Sequence, residues 1–491
     1  MADSNAKKLA QLLDGNGDVL LTNLDNISVT PAGVSDQPNT STGGLTLPSG
    51  TTAQRPSSPD TGESRMNTTI GSLEFYDGSA WIATNLIPSV DSISGNLVSD
   101  SGTSITLTLE SATETVDIVY RVSGGAELAT TTGVAVSGGS ATTTVPSAVY
   151  GQSAGTVIAI SVKNADGTPS GNAVTKTILA LPTGGTISTS GNNRTHTYTS
   201  TSNFVVPSGV TVSAETFILA GGASGGYHSG GGGGAGGLLW YSSSTVDGKA
   251  PNAGKLSFGA GTHSCTVGAG AGAAASGGAY PNFTGFRTDA PADGSGGGGS
   301  SAPGKDGNNS VVIIAGGATY TANGGGGGGH SGGGGYDGGC GGAGARNRAG
   351  GSGTSGQGQN GGNAQYGNAT PYPADGGGGC KTAGGGASSS SGGAGGTGFN
   401  FSSVFGTSNG DSGNFGGGGG GNIQYDYPSG GGAGGFGGGG AGGGSSEGAS
   451  GGNGVTQSGS GGGGNRYNAS LAGLSQGGSG IIFIRYDKTT L

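Results

Sequence analysis

The chain has 491 residues, a length suited to about two to four domains, and 123 of them are glycine. Charged residues make up only 9%, so the surface is expected to be polar and neutral, built from Ser, Thr, Asn and Gly. A net charge of −9 with thinly scattered Lys and Arg provides no basic stripe to replace counterions on phosphate, which argues against a nucleic-acid partner.

The first zone, 1–40, opens on "AKKLAQLLDG", where Leu9, Leu12 and Leu13 fall on one helical face and Asp14-Gly15 ends the helix. One such short amphipathic helix cannot bury its stripe alone, so it expects copies of itself or a docking surface. "DGNGDV" has Asp14, Asn16 and Asp18 at alternate positions like the start of a calcium loop. Val19 stands where that loop needs Gly and Asp25 where it needs Glu, so a plain turn is the better reading. The N-terminus lacks the apolar core of a signal peptide, and no apolar run reaches the length of a membrane span. Assembly in a cytoplasm without membrane insertion is therefore expected.

The second zone, 41–87, contains "SLEFYDGSAWIA", which reads as a hairpin. Leu73 and Phe75 share one face, Asp77-Gly78 turns the chain, and Trp81 returns opposite. The module is too small to be stable alone. The third zone, 88–183, has ordinary composition and alternating strands. Ile105, Leu107 and Leu109 alternate in one, Val116, Ile118 and Tyr120 in the next, and Ile158, Ile160 and Val162 in a third. "AVTKTILAL" closes a set that fits a β-sandwich of immunoglobulin type without its Cys–Trp–Cys signature.

The fourth zone, 184–491, is bordered by strands such as "AETFILAGG", "NSVVIIAGG" and "GIIFIRYDK", with glycine runs between them. "GGGGGGHSGGGGYDGGCGGAG", which starts at Gly324, has almost no side chains to bury. Collagen would need strict Gly-X-Y and abundant Pro. A flexible tether is the obvious reading of Gly/Ser-rich sequence, but strands at both ends would make this one close back on itself. The ordered alternative is a bundle of polyproline-II-like glycine helices, about 3.1 Å per residue and three residues per turn, whose backbones pair sideways because no Cβ intervenes. Glycine loses the most entropy on folding, so a β frame and many lateral bonds must offset that loss.

Between the runs lie aromatic segments, natural loop tips because rings cannot enter a glycine lattice. They carry Tyr280, Phe283, Phe286, Tyr336, Tyr366, Tyr372, Phe399, Phe401, Phe405, Tyr425, Tyr427 and Tyr467, the candidate receptor-binding residues. The competing reading has these rings capping the lattice ends as a small hydrophobic lid. Cys265, Cys340 and Cys380 form no metal spacing. Cys340 and Cys380 share a glycine context and could face each other, although three separate buried thiols is the plainer reading. No cofactor or metal is expected. A polysaccharide-cleaving enzyme would need paired carboxylates, and Asp289, Asp293, Asp337, Asp375, Asp411, Asp426 and Glu447 lie on loops without a repeat scaffold. His196, His228, His263 and His330 have no triad or HExxH context, and GxGxxG matches arise by chance in such a tract.

Three pieces resemble tail-fibre and adhesin proteins of tailed bacteriophages, especially those of aquatic bacteria. These are "KKLAQLLDGNGDVLLTNLDNISV", the more specific "LPSGTTAQRPSSPDTGESRMNTTIGSLEFYDGSAWIAT", and the last zone from "YTSTSNFVVPSGVTVSAETFILAGGASGG" to "GGSGIIFIRY". The resemblance implies an all-β multidomain virion fibre: a short N-terminal helix, a small β-hairpin module, an Ig-like sandwich and a β-framed polyglycine-II bundle. It implies a homotrimer attached to other virion proteins through the N-terminal segment with Leu9, Leu12 and Leu13. Its distal loops would bind a host cell-surface glycan or outer-membrane protein. The intervening sandwich departs from tail-tip adhesins and leaves tail fibre, neck whisker or capsid fibre open. A whisker, capsid fibre or cement protein without a receptor is the alternative, and a polysaccharide-degrading tailspike a further one.

Overall fold

A computed structural model describes residues 47–69, 72–83, 89–110, 115–164, 172–272, 303–363, 372–424, 430–444, 446, 448–466 and 475–491. The helix expected at Leu9, Leu12 and Leu13 and the turn after it lie outside these residues. The described fold is nearly all β, in several sheets, with short helices only. It divides into two compact units, 1–85 and 86–491.

The first unit holds a four-stranded sheet of β1 (Ser49–Gly50), β2 (Ser64–Asn67), β3 (Ser72–Tyr76) and β4 (Trp81–Ala83). β3 and β4 form the hairpin, and its turn is tied by Asp77 Oδ1, which accepts from the Ser79 and Ala80 amides at 2.7 Å each. The side of the sheet that is buried is the polar one. Glu74 is fully buried and accepts from Arg55 Nη2 at 2.6 Å and Asn67 Nδ2 at 2.9 Å, with Arg65 Nε at 3.4 Å. Burial would raise the Glu74 carboxyl, but the hydrogen bonds from Arg55 and Asn67 and the two guanidinium charges hold it below the usual range. Met66, Phe75 and Ile82 are instead partly exposed on the opposite side.

The second unit begins with β5 (Ser89–Ser94), β6 (Leu97–Val98), β7 (Ser104–Glu110), β8 (Thr115–Val122), β9 (Glu127–Ser137), β10 (Ser140–Thr144), helix α1 (Ser147–Tyr150), β11 (Val157–Asn164) and β12 (Val174–Leu179). The strands pair in the order β5-β7-β10-β9-β8-β11-β12-β6. The alternating residues of β7, β8 and β11 enter one cluster, with Leu107, Ile118, Tyr120, Ile158 and Ile160 fully buried.

Two further sheets frame the glycine-rich region. One joins β13 (Thr186–Ser190), β14 (Asn193–Tyr198), β16 (Val212–Leu219), β17 (Leu238–Tyr241), β18 (Leu256–Phe258) and the C-terminal β24 (Ile481–Asp487), which lies between β14 and β16. The other is β15 (Ser202–Val206), β19 (Gly261–Thr266), β20 (Ser310–Ile313) and β21 (Thr319–Ala322). Alternate residues of β16 and β24 supply two different cores. Ile218, Ile482 and Ile484 face Phe204, Phe258 and Val312, while Phe217, Leu219 and Phe483 face Trp240, Phe401 and Phe415. Burial on both faces explains why "FIL" and "IIFI" are unbroken apolar runs. This frame meets the preceding sheet directly: Lys488 Nζ donates to Asp100 O at 2.8 Å and Asn96 Nδ2 to Gly209 O at 3.0 Å.

From this frame the glycine segments run out and back. Segment 220–227 leads to a turn at His228 and Ser229, and 230–237 returns to β17. The two are joined by Ala220 N to Gly237 O, Ala223 N to Gly234 O and Gly226 N to Gly231 O, one direct bond every three residues. The returning segment shows the same period in its other directions. Gly232 and Ala235 donate to Asp375 O and Gly378 O, Gly233 and Gly236 to Gly462 O and Gly459 O, and Gly234 and Gly237 to Gly326 O and Asn323 O. Successive amides thus point at three different neighbours, and the fourth returns to the first. Only glycine fits where the neighbours are this close: a Cβ on Gly232 would lie 2.0 Å from Gly419 O, and one on Gly377 2.1 Å from Gly233 O. Where a segment faces outward, Asn and Asp side chains take over as acceptors. Asp306 Oδ1 accepts from Gly327 N, Asn309 Oδ1 from Gly324 N, Asp337 Oδ1 from Ser352 N and Asn360 Oδ1 from Gly353 N, at 2.6 to 2.8 Å.

Candidate functional site

The turns farthest along these segments from the sheets come together at one end. His228 and Ser229 form the first turn, with φ of 64° and 58°; Arg346 and Asn347 form another, with 47° and 63°; Tyr372 enters at 52°. Side-chain-bearing residues avoid this left-handed region at a cost of about 1 kcal/mol each, so their clustering marks a constrained surface. The constraint comes from lattice bonds directly below, where Gly226 N donates to Gly231 O and Gly230 N to Asn465 O.

Arg346 organises the cluster. Its guanidinium carbon lies 4.3 Å from the Tyr372 ring centroid, Nε donates to Ser229 Oγ at 3.1 Å, and Nη2 donates to Gln424 Oε1 at 2.5 Å. Ser229 Oγ donates to the same Gln424 oxygen, and Gln424 Nε2 donates to His228 Nε2 at 3.2 Å. Burial, then the positive charge of Arg346, then His330 hold His228 below the usual imidazole range, so it accepts as a neutral ring. Ser331 N donates to His228 O at 2.9 Å and ties the neighbouring turn into the group. The result is a cation, a ring, an amide and imidazoles, half-buried and fixed in position on a backbone lattice. Such a surface can stack on a planar or sugar face and exchange hydrogen bonds with hydroxyl, carboxylate or amide groups.

Beneath it lies a second polar layer. Asp375 is fully buried; Oδ1 accepts from Ala387 N at 2.7 Å, while Oδ2 is buried without a hydrogen-bond partner. Burial pushes this carboxyl up to about 6. Both side-chain polar atoms of Asn422 are likewise buried and unpartnered, and Ala374 N donates to Asn422 O at 2.9 Å.

The aromatic candidates divide. Tyr372 stands in the cluster, and Tyr336 is half-buried on the segment whose Asp337 caps Ser352. Phe399, Phe401 and Phe405 are not on a loop tip, and this corrects the expectation. Phe399 and Phe401 are buried on β22 (Phe399–Asn400) and beside it, and helix α2 (Ser402–Phe405) and β23 (Asn414–Phe415) complete the motif. Phe401 meets Phe217 at 4.9 Å and Trp240 at 5.2 Å, and Phe405 stacks on Phe483 at 4.2 Å. The segment is a plug in the aromatic core between sheet and lattice, because large rings gain most where both supply contact. Tyr280, Phe283, Phe286, Tyr366, Tyr425, Tyr427 and Tyr467 lie outside the described residues. Tyr372, Gln424 and Arg466, which adjoin three of those segments, are described, and the first two belong to the cluster.

Of the remaining candidates, Asp289, Asp293, Asp426 and Glu447 lie outside the described residues, and the described histidines and carboxylates have other tasks. Burial holds His196 down at about 4 beside Gly184 O, and His263 joins Gly259 O and Ala315 N. Asp411 takes part in a turn with Asn414. A groove lined by Asp306, Asn323, Asp337 and Thr354 runs along the flank, where both carboxylates serve as lattice caps. Among the described residues, no group of His, Cys, Asp or Glu could hold a metal ion, and no helix is long and apolar enough to cross a membrane. His228, Ser229, Arg346 and Gln424 were missed from sequence; the available signal was a polar pair interrupting a glycine run, as in "GGYHSGGGGG".

No protein-family model matches the chain, and no curated protein matches it.

Proposed function

We propose that the chain is a virion fibre or adhesin of a tailed bacteriophage that binds the host cell surface through the loop end of its glycine-rich region. The observation that carries this reading is the Arg346, Tyr372, Ser229, Gln424 and His228 cluster, held in constrained backbone at the end of a hydrogen-bonded lattice. In this reading the lattice is a bundle of polyglycine-II helices. Its support is the three-residue recurrence of partners and the lack of room for a Cβ at glycines such as Gly232, Gly233 and Gly377. The eight-stranded sheet is an Ig-like sandwich acting as a spacer, and the N-terminal segment attaches the chain, as a homotrimer, to other virion proteins. No covalent chemistry is required. Weak contacts to a surface glycan or outer-membrane protein are multiplied by copies on one particle.

The burial of Phe399, Phe401 and Phe415 favours a second reading, a receptor-less whisker, capsid fibre or cement protein, since that aromatic segment serves the core. Binding of the labelled full chain to a panel of intact bacteria separates the two. Wild type would be compared with Arg346→Ala/Tyr372→Ala and with Phe436→Ser, which alters an exposed ring outside the cluster. The adhesin reading expects a loss of about tenfold or more for the double variant and none for the control. Equal binding by all three, or by none to any cell, would favour the scaffold.

A further inference from the structure

We propose that Cys340 and Cys380 form a disulfide that staples two segments of the glycine lattice, closed by transfer of two electrons to a small-molecule disulfide. The two Sγ atoms are 3.8 Å apart, although the residues are separated by 40 positions in the chain. Both are buried in the cluster that holds Trp240, Phe401 and Phe415. The seat is shaped for them: a Cβ on Gly358 would lie 2.2 Å from the Cys340 sulfur, and one on Gly416 2.3 Å from that of Cys380. Each sulfur fills space that only a glycine leaves. Cys265, by contrast, is buried in the other core of this unit, among Phe204, Val312 and Tyr486.

A disulfide bond of about 2.05 Å requires the sulfurs to close by less than about 2 Å, a movement within reach of small side-chain rotations. It gives up two weak thiol donors to Gly236 O, at 3.1 Å from Cys380 and 3.7 Å from Cys340. It gains most where the unfolded chain is freest, and the loop it closes is rich in glycine. In the balanced reaction, one cysteine thiolate attacks a sulfur of the small disulfide and expels one small thiolate. The second cysteine thiolate then attacks the mixed disulfide at the protein sulfur and expels the other small thiolate. The two protons released by the protein thiols end on the two small thiols, so two protein S–H bonds become one S–S bond and the small disulfide is reduced. In the finished fold, contact with Cys340 and burial push the Cys380 thiol well above its usual range. Exchange therefore belongs to the stage before these segments pack.

The test is to produce the full chain in a reducing and in an oxidising bacterial cytoplasm, unfold each with iodoacetamide, and map the peptides by mass. The oxidised preparation should carry one alkyl group, on Cys265, with a linked Cys340–Cys380 peptide about 2 Da below the sum of the free thiol forms. It should also unfold at a higher temperature than the reduced one. Cys380→Ala should leave Cys340 alkylated and remove the temperature difference, while Cys265→Ser should leave the link intact. Three alkylated cysteines in both preparations, a link to Cys265, or retained glutathione on either residue would overturn the proposal.

Discussion

A single methyl group offers a severe test of the glycine lattice. In Gly232→Ala the new Cβ would lie 2.0 Å from Gly419 O, 2.5 Å from Gly419 C and 2.9 Å from Gly377 N. Ordinary contact requires the Gly419 carbonyl to retreat by more than about 1 Å. That carbonyl accepts from Gly377 N at 2.8 Å, and Gly419 N donates to Gly233 O at 2.9 Å, so the retreat disturbs two buried lattice bonds. Each is worth about 1 kcal/mol when merely lost and up to about 3 kcal/mol when a buried group is left unsatisfied. Against this, alanine lowers the entropy of the unfolded chain, a gain of about 0.5 kcal/mol. The expected net loss is about 2–5 kcal/mol. Gly386→Ala is the matched control: that glycine has nothing within 4 Å of its Cβ position, so only the entropic gain remains. Calorimetry of the full chain, with Trp240 fluorescence reporting on the core beneath the lattice, reads both. Should Gly232→Ala prove as stable as Gly386→Ala, the backbones do not approach as described.

Asp375 should act against the usual acid response. Its folded carboxyl lies at about 6 against an ordinary 3.8, so it contributes stability at low pH that disappears as pH rises through about 6. The linked cost at neutral pH is about 3 kcal/mol. Asp375→Asn keeps the acceptor for Ala387 N, so denaturation curves should show wild type gaining stability between pH 6.5 and about 4.5, and the variant much less; identical slopes would count against it. Glu74 has the opposite sign: its lowered carboxyl stabilises above the ordinary value of 4.5, and that contribution is lost as pH falls through the folded value. Glu74→Ala strands two guanidinium groups and should weaken the first unit by at least about 2 kcal/mol, seen as faster proteolysis between Ser49 and Ala83; unchanged protection would refute the charged core.

Period-two alternation made β7, β8 and β11 legible, because one face of each is buried. β9 escaped notice since none of its eleven residues is fully buried and alternation is confined to its end, where Val134 and Val136 pack against the cluster. Sequence periodicity likewise does not say which side of a two-sided strand faces inward. In β3 the buried side carries Glu74, because Arg55, Arg65 and Asn67 satisfy its carboxylate there, and Phe75 is left outside.

Composition alone determined that any ordered form of the glycine runs must be held by backbone bonds, since there are no side chains to supply a core. It also determined that large rings must stand outside the lattice. Whether "outside" meant a loop tip or the core of the frame was decided by tertiary structure. Phe401 and Phe405 dock between β16, β24 and the lattice because β24, from the end of the chain, lies beside β16. Contacts between glycine segments bring Cys340 to Cys380 and Arg346 to Tyr372 and Gln424. These meetings depend on which glycine segments are neighbours. Segments without side chains carry almost no local mark of whom they pair with, so that choice is made by the frame and the turns.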